Sequence, residues 1–223
     1  MKRVFYLLVL ISPFQSAFLF SQSAISELMN EVRIIEARNS VGGLSYDNIK
    51  GSPHYSDAFV NSTVILKNGK SASLPLRYNL FQDEIEFKRD EKILWLIKNR
   101  VLSIQYGKEM ILLDSFSEAP DKLTYFFVQE EGKYSLYIRK KVSFNPKVPP
   151  KGYTDPLPDR FEREQDDYYL KQEDMPLREI KNKKALSEIL SENEPALGFI
   201  KKSKIKANKV EDLLELVRFL NDQ

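Results

Sequence analysis

Apolar and polar positions alternate along most of the middle of the chain, and turn residues interrupt the alternation at short intervals. Residues 60–67 (VNSTVILK) are rich in β-branched side chains and run into Asn68-Gly69, whose tolerance of positive φ predicts a type I′ hairpin returning along 71–79. Strand-like runs follow at 84–88, 93–97, 101–106 and 110–113, broken at Arg89-Asp90, Asn99-Arg100 and Gly107-Lys108. One more hairpin is expected from 123–129 and 134–144 across Glu131-Gly132. About eight short strands joined by tight turns describe an antiparallel meander, either a curled sheet or a barrel-like one.

The period changes beyond residue 144. Residues 145–158 (NPKVPPKGYTDPLP) hold five of the chain's eleven prolines, each lacking a backbone donor and fixing φ, so 145–165 reads as an extended connector. A small hairpin is expected from Tyr168-Tyr169-Leu170 and 176–180, across 172–174. Helical spacing then takes over. Leu186, Ile189 and Leu190 share a face of a first helix, Asn193-Glu194-Pro195 opens a second, and Asn208 with Glu211 reads as the capping pair of a third. That last helix carries the stripe Val210, Leu213, Leu214, Val217 and Leu220. The expected class is α+β: an antiparallel meander over 51–144, then a C-terminal hairpin and three short helices over 166–223.

The N-terminus adds a destination. Lys2 and Arg3 precede an apolar tract that ends near Ser21-Gln22-Ser23-Ala24, the pattern of a secretory signal peptide over 1–23. Pro13, Gln15 and Ser16 interrupt the tract, which counts against a membrane anchor, and no later segment reads as a span. Residues 24–50 form a lead-in, with a short helix expected over 24–38. The chain has no cysteine, so an exported mature protein would have no disulfide and no thiol for a lipid anchor. A periplasmic or secreted location is expected. The formal charge of +2, from 34 basic and 32 acidic residues, does not describe a nucleic-acid binder.

The order of these segments, GSPHYSDAFV, a hairpin at KNGK, LPLRYNLFQDEIEF, further strands, then YYLKQEDMPLREIKNKKALSEIL and VEDLLELVRFLN, resembles a group of exported Gram-negative bacterial proteins of unknown function. The resemblance implies export and this organisation. It implies no activity, cofactor or catalytic residue.

Candidate chemistry is sparse. In LPLRYNLFQDEIEF, a turn at 80–83 would pair Asn79 with Glu84, Tyr78 with Ile85, Arg77 with Glu86 and Leu76 with Phe87. Alternation sends Arg77, Asn79, Glu84 and Glu86 to one face, read as a polar outer surface with a weak ion pair. A carboxylate pair for glycoside cleavage would need burial and a substrate-sized gap. His54, the sole histidine, reads as a solvated or locally hydrogen-bonded loop side chain; a metal ligand or general base is the alternative. The basic run 201–206 reads as a solvated surface with weak attraction for anionic polymers, and Asp166-Asp167 lack the spacing of a calcium loop.

Aromatic residues are more telling. Tyr125, Phe126, Phe127, Tyr134 and Tyr137 cluster in one hairpin, with Tyr125 and Phe127 on one face and Phe126 on the other. One set belongs to the core. The other forms either an interaction surface or a second buried face under the helices. No catalytic, cofactor or metal residues are assigned. The sequence is read as an exported, non-enzymatic protein that binds an envelope protein or serves a structural role. The alternative is a lipid or small-molecule module with a cavity lined by Trp95, Phe126 and Tyr137.

Overall fold

The computed structural model describes residues 39–149 and 155–223. The expected signal peptide and the expected helix over 24–38 lie outside the described residues. The fold is α+β, dominated by one ten-stranded antiparallel sheet that is not closed into a barrel. The strands are β1 (Ser40–Val41), β2 (Leu44–Ser45), β3 (Val60–Leu66), β4 (Ser71–Asn79), β5 (Glu84–Arg89), β6 (Lys92–Trp95), β7 (Val101–Tyr106), β8 (Glu109–Phe116), β9 (Ala119–Glu130), β10 (Tyr134–Arg139), β11 (Val142–Asn145), β12 (Arg160–Arg163), β13 (Asp167–Gln172) and β14 (Arg178–Glu179). The large sheet runs β14-β13-β10-β9-β8-β7-β3-β4-β5-β6; β1 pairs with β2, and β11 with β12.

Strong curl makes this sheet a container for its own core. Strands β3, β7 and β8 separate β4 from β9, so a flat sheet would hold those two about 19 Å apart at the usual strand spacing. Yet the rings of Tyr78 on β4 and Tyr125 on β9 lie 5.5 Å apart, and Tyr78 and Phe127 6.0 Å apart. The concave face buries Val64, Leu76, Tyr78, Ile85, Ile104, Ile111, Tyr125 and Phe127 completely or nearly so.

The β3–β4 turn departs from the expected type. Gly69 (φ 81) is left-handed but Asn68 is not, so the pair does not make a type I′ turn. Asn68 Oδ1 instead accepts the Lys70 N–H at 3.0 Å, and the loop closes through Leu66 N–H to Lys70 O at 2.9 Å.

The run 134–144 splits in two because β10 stays in the large sheet while β11 leaves it to pair with β12. The stretch read as a connector therefore carries a strand, and Phe161 of β12 is buried in the main core. Beyond β11 and β12 the two chain segments continue as an arm, with Val148 and Leu157 exchanging backbone hydrogen bonds of 2.9 and 3.1 Å. On the other side, β13 pairs with β10 along its whole length, which joins the C-terminal hairpin to the same sheet.

Three helices close one end: α1 (Lys183–Ile189), α2 (Glu194–Lys202) and α3 (Val210–Asn221). Asn182 and Asn193 cap α1 and α2 by accepting the N–H groups of Ala185 and Ala196, each at 3.0 Å. The expected Asn208–Glu211 cap does not form. Helix α3 starts one residue later, after Lys209, and Asp212 instead folds back to accept the Lys206 N–H at 2.8 Å. Leu213, Leu216, Val217 and Leu220 of α3 pack with Tyr134, Leu136 and Leu170. Asn221 locks the contact, accepting the Tyr134 N–H at 2.8 Å and donating to its carbonyl at 2.9 Å.

Among the described residues no helix is long and apolar enough to cross a membrane.

Candidate functional site

The β4–β5 hairpin folds in the register that its sequence predicts: Leu76–Phe87, Arg77–Glu86, Tyr78–Ile85 and Asn79–Glu84. Its charged face is not a surface, however. The segment preceding β3 runs back over it, held by Pro53 O, which accepts the Leu80 N–H at 2.8 Å, and by the Tyr55 N–H, which donates to Tyr78 O at 2.8 Å. Gly51 permits this path: its φ is 84°, and a Cβ there would meet Phe161 O at 2.6 Å.

Under this roof Glu86 has no exposed surface, and His54 is buried above it. Arg77 donates from Nε at 2.9 Å and approaches with Nη2 at 2.7 Å, both to Glu86 Oε2. Asn79 Nδ2 donates to Oε1 at 3.1 Å, and His54 Nε2 lies 3.3 Å from Oε2. The reading of Glu86 as an exposed partner is therefore corrected, and of the two readings of His54 the solvated one is excluded by its burial. Strand alternation defines which side chains share a face but not whether another segment covers it. Burial pushes the Glu86 carboxyl up, but the approach of His54, the hydrogen bonds from Asn79 and Arg77, and the Arg77 charge outweigh it and hold it below the usual range. The Arg77 guanidinium is itself stacked over Phe59, 4.7 Å from the ring centre.

A second polar group forms at the hairpin turn. Asp83 adopts φ 56°, which an aspartate tolerates, and accepts the Tyr78 hydroxyl at 2.7 Å. Lys98 lies 3.0 Å from Asp83 Oδ2 and 3.4 Å from Glu84 Oε1, while its ammonium sits 5.1 Å from the Tyr125 ring centre. One lysine between two carboxylates leaves Glu84 poorly compensated. Burial, against the opposing pull of Lys98 and with a further push from Asp83, raises its carboxyl to about 7. Chemically this group can exchange a proton near neutrality. Lys98 Nζ is its nearest charged neighbour, and the Glu86 carboxylate is wholly buried.

The five aromatic residues proposed as a contact surface are all buried. Tyr125 and Phe127 belong to the main core. Tyr134 lies under the helices. Phe126 and Tyr137 face the opposite side of the sheet, where Tyr169 and Leu177 cover them. The contact-surface reading is thus corrected, and of the two alternatives for the second set burial favours the buried second face. On the second face Tyr169 of the neighbouring β13 and Leu177 of the following loop pack with them, while the helices lie on the face of Tyr134. Trp95 pairs across β5–β6 with Glu86 and shares no site with Phe126 and Tyr137.

Exposed apolar surface lies elsewhere. On the arm, Val148 (42 % exposed) and Leu157 (47 %) face each other between Pro149, Pro156 and Pro158 around a shallow depression. Pattern reading missed this pair because two isolated apolar residues among prolines have no period.

Compared with protein-family models, with curated proteins and with solved structures, the chain matches none. The fold and its sites define an open, curled antiparallel sheet with a helical cap and a projecting arm.

Proposed function

We propose that the protein is exported and non-enzymatic, and that it binds an envelope protein through the β11–β12 arm. The observation that carries this reading is the exposed Val148–Leu157 pair, flanked by Pro149, Pro156 and Pro158 beyond the β11–β12 ribbon. Prolines stiffen the arm and lower the entropy lost on docking, while the two aliphatic side chains supply area that is better buried against a partner. Export rests on the basic n-region and the apolar tract of the N-terminus.

The reading of a lipid or small-molecule module is weaker, because Tyr78, Tyr125 and Phe127 fill the inside of the curl. An enzymatic role is weaker still, since Arg77, Asn79 and His54 occupy the Glu86 carboxylate.

The test is a photoreactive amino acid at position 148 or 157, irradiated in the native cell, with the adducts identified by mass spectrometry. One dominant envelope protein is expected, its adduct lost from a chain that also carries the other position as aspartate. Adducts only with cytoplasmic proteins, or none above background from a folded chain, would overturn the proposal.

A further inference from the structure

A second concave site, mixed in lining but rich in lysine, lies between the start of α1 and the segment before α3. Gln165, Lys181, Asn182, Lys183 and the segment 204–208 surround a depression of about 560 Å³. That volume lies within the range of small-molecule sites. It collects four lysines, Lys181, Lys183, Lys204 and Lys206, from two segments remote in sequence.

We infer that this depression binds a phosphate-bearing ligand. Seven of its nine lining side chains carry N–H donors, four of them lysine ammonium groups. Asn182 uses its carbonyl oxygen to cap α1, which leaves its amide N–H groups as the part available to a ligand. Of the carboxylates nearby, Asp166 pairs with Lys140 at 3.3 Å and Asp167 with Lys141 at 2.7 Å, while Asp212 keeps its charge and accepts the Lys206 backbone N–H at 2.8 Å. Lys181 stands 3.7 Å from Glu179 and 3.8 Å from Glu118, at the outer limit of ion pairing. Lys183, Lys204 and Lys206 make no ion pair among the described residues.

The segments that carry the lysines are also anchored. Ile205 and Ala207 are buried among the helices, so the alternation Lys204-Ile205-Lys206-Ala207 anchors this segment by its apolar members and turns both lysines outward. Ile180 anchors the other segment in the same core. Four like charges around one concavity repel each other and concentrate a positive potential in it. A multiply charged anion relieves that repulsion, and lysine ammonium groups serve as point-charge donors to phosphate oxygens. A phosphate ester in solution and a phospholipid headgroup present the same chemistry here.

The experiment uses the folded mature chain and two probes. Inorganic pyrophosphate is titrated while backbone amide signals are followed by NMR, and vesicles of phosphatidylglycerol in phosphatidylcholine are sedimented with the protein. Saturable shifts confined to 181–183 and 204–208 are expected, with affinity falling about tenfold or more in a Lys204→Gln, Lys206→Gln double variant. Lys184→Gln, outside the depression, is expected to change nothing. Vesicle binding that the double variant loses assigns the headgroup as the source; saturable pyrophosphate binding without vesicle binding assigns a soluble ester. Shifts that never saturate, shifts spread over lysines elsewhere, or an unaltered affinity in a double variant with native circular dichroism would each overturn the inference. These outcomes are independent of the arm and of the partner proposed for it.

Discussion

Arg77 Nη2 lies 2.7 Å from Glu86 Oε2, and the carboxylate it meets is wholly buried beneath the loop that carries His54. The two residues face each other across antiparallel strands, a placement that on an open sheet contributes a few tenths of a kcal/mol. Buried, the pair answers to a different rule: removing the carboxylate leaves Arg77, only 15 % exposed, without its main counter-charge.

Glu86→Gln is therefore expected to lower stability by about 3–5 kcal/mol. Urea unfolding monitored by tryptophan fluorescence measures it. A loss under about 1 kcal/mol would mean that the roof opens and lets water reach Arg77.

The two carboxylates of the hairpin push stability in opposite directions with pH. Glu84, raised in the folded state to about 7, contributes stability fully present below its ordinary value and lost as pH rises through about 7. Glu86, held below its ordinary value, contributes stability that is present above that value and lost as pH falls through the lowered one. Between about pH 5 and pH 8 only Glu84 titrates of these two, so Glu84→Gln is expected to shrink the fall in unfolding free energy over that window. An unchanged fall would show that Lys98 keeps Glu84 ionised throughout.

Two tyrosines that touch in the core are expected to respond differently to loss of a hydroxyl. Tyr78 donates to Asp83 at 2.7 Å, whereas the buried Tyr125 hydroxyl has no hydrogen-bond partner among the described residues. Tyr78→Phe is expected to cost about 1–3 kcal/mol and Tyr125→Phe to be neutral or stabilising. Thermal unfolding of both variants checks the contrast, and equal losses would refute it.

Helix α3 docks on the sheet at a glycine. A Cβ on Gly132 would lie 2.6 Å from Asn221 Nδ2, the group that donates to Tyr134 O. Gly132→Ala is expected to speed amide exchange at Tyr134 and through the last turn of α3, with little change in β4 and β5. Exchange unaltered at Tyr134 would show that Asn221 can move aside and keep its bonds.

The local order of the fold is legible in residue patterns. Alternation and turn residues identify the strands from β3 to β9, and the pairing of Arg77 with Glu86 follows from one turn and a period of two. Apolar spacing likewise locates α1 to α3, because each needs only one stripe to bury. What surrounds a face is a long-range matter. Glu86 is buried because 51–55 crosses the hairpin, and Tyr125 meets Tyr78 because the sheet curls across three intervening strands. Neither fact has a period in the chain. The same holds for Lys183 and Lys206, ordinary surface lysines by sequence until the turns before α1 and α3 pack side by side. Local preference and side-chain period can be read along a chain, whereas desolvation depends on which remote segment excludes the water, and only the tertiary structure decides that.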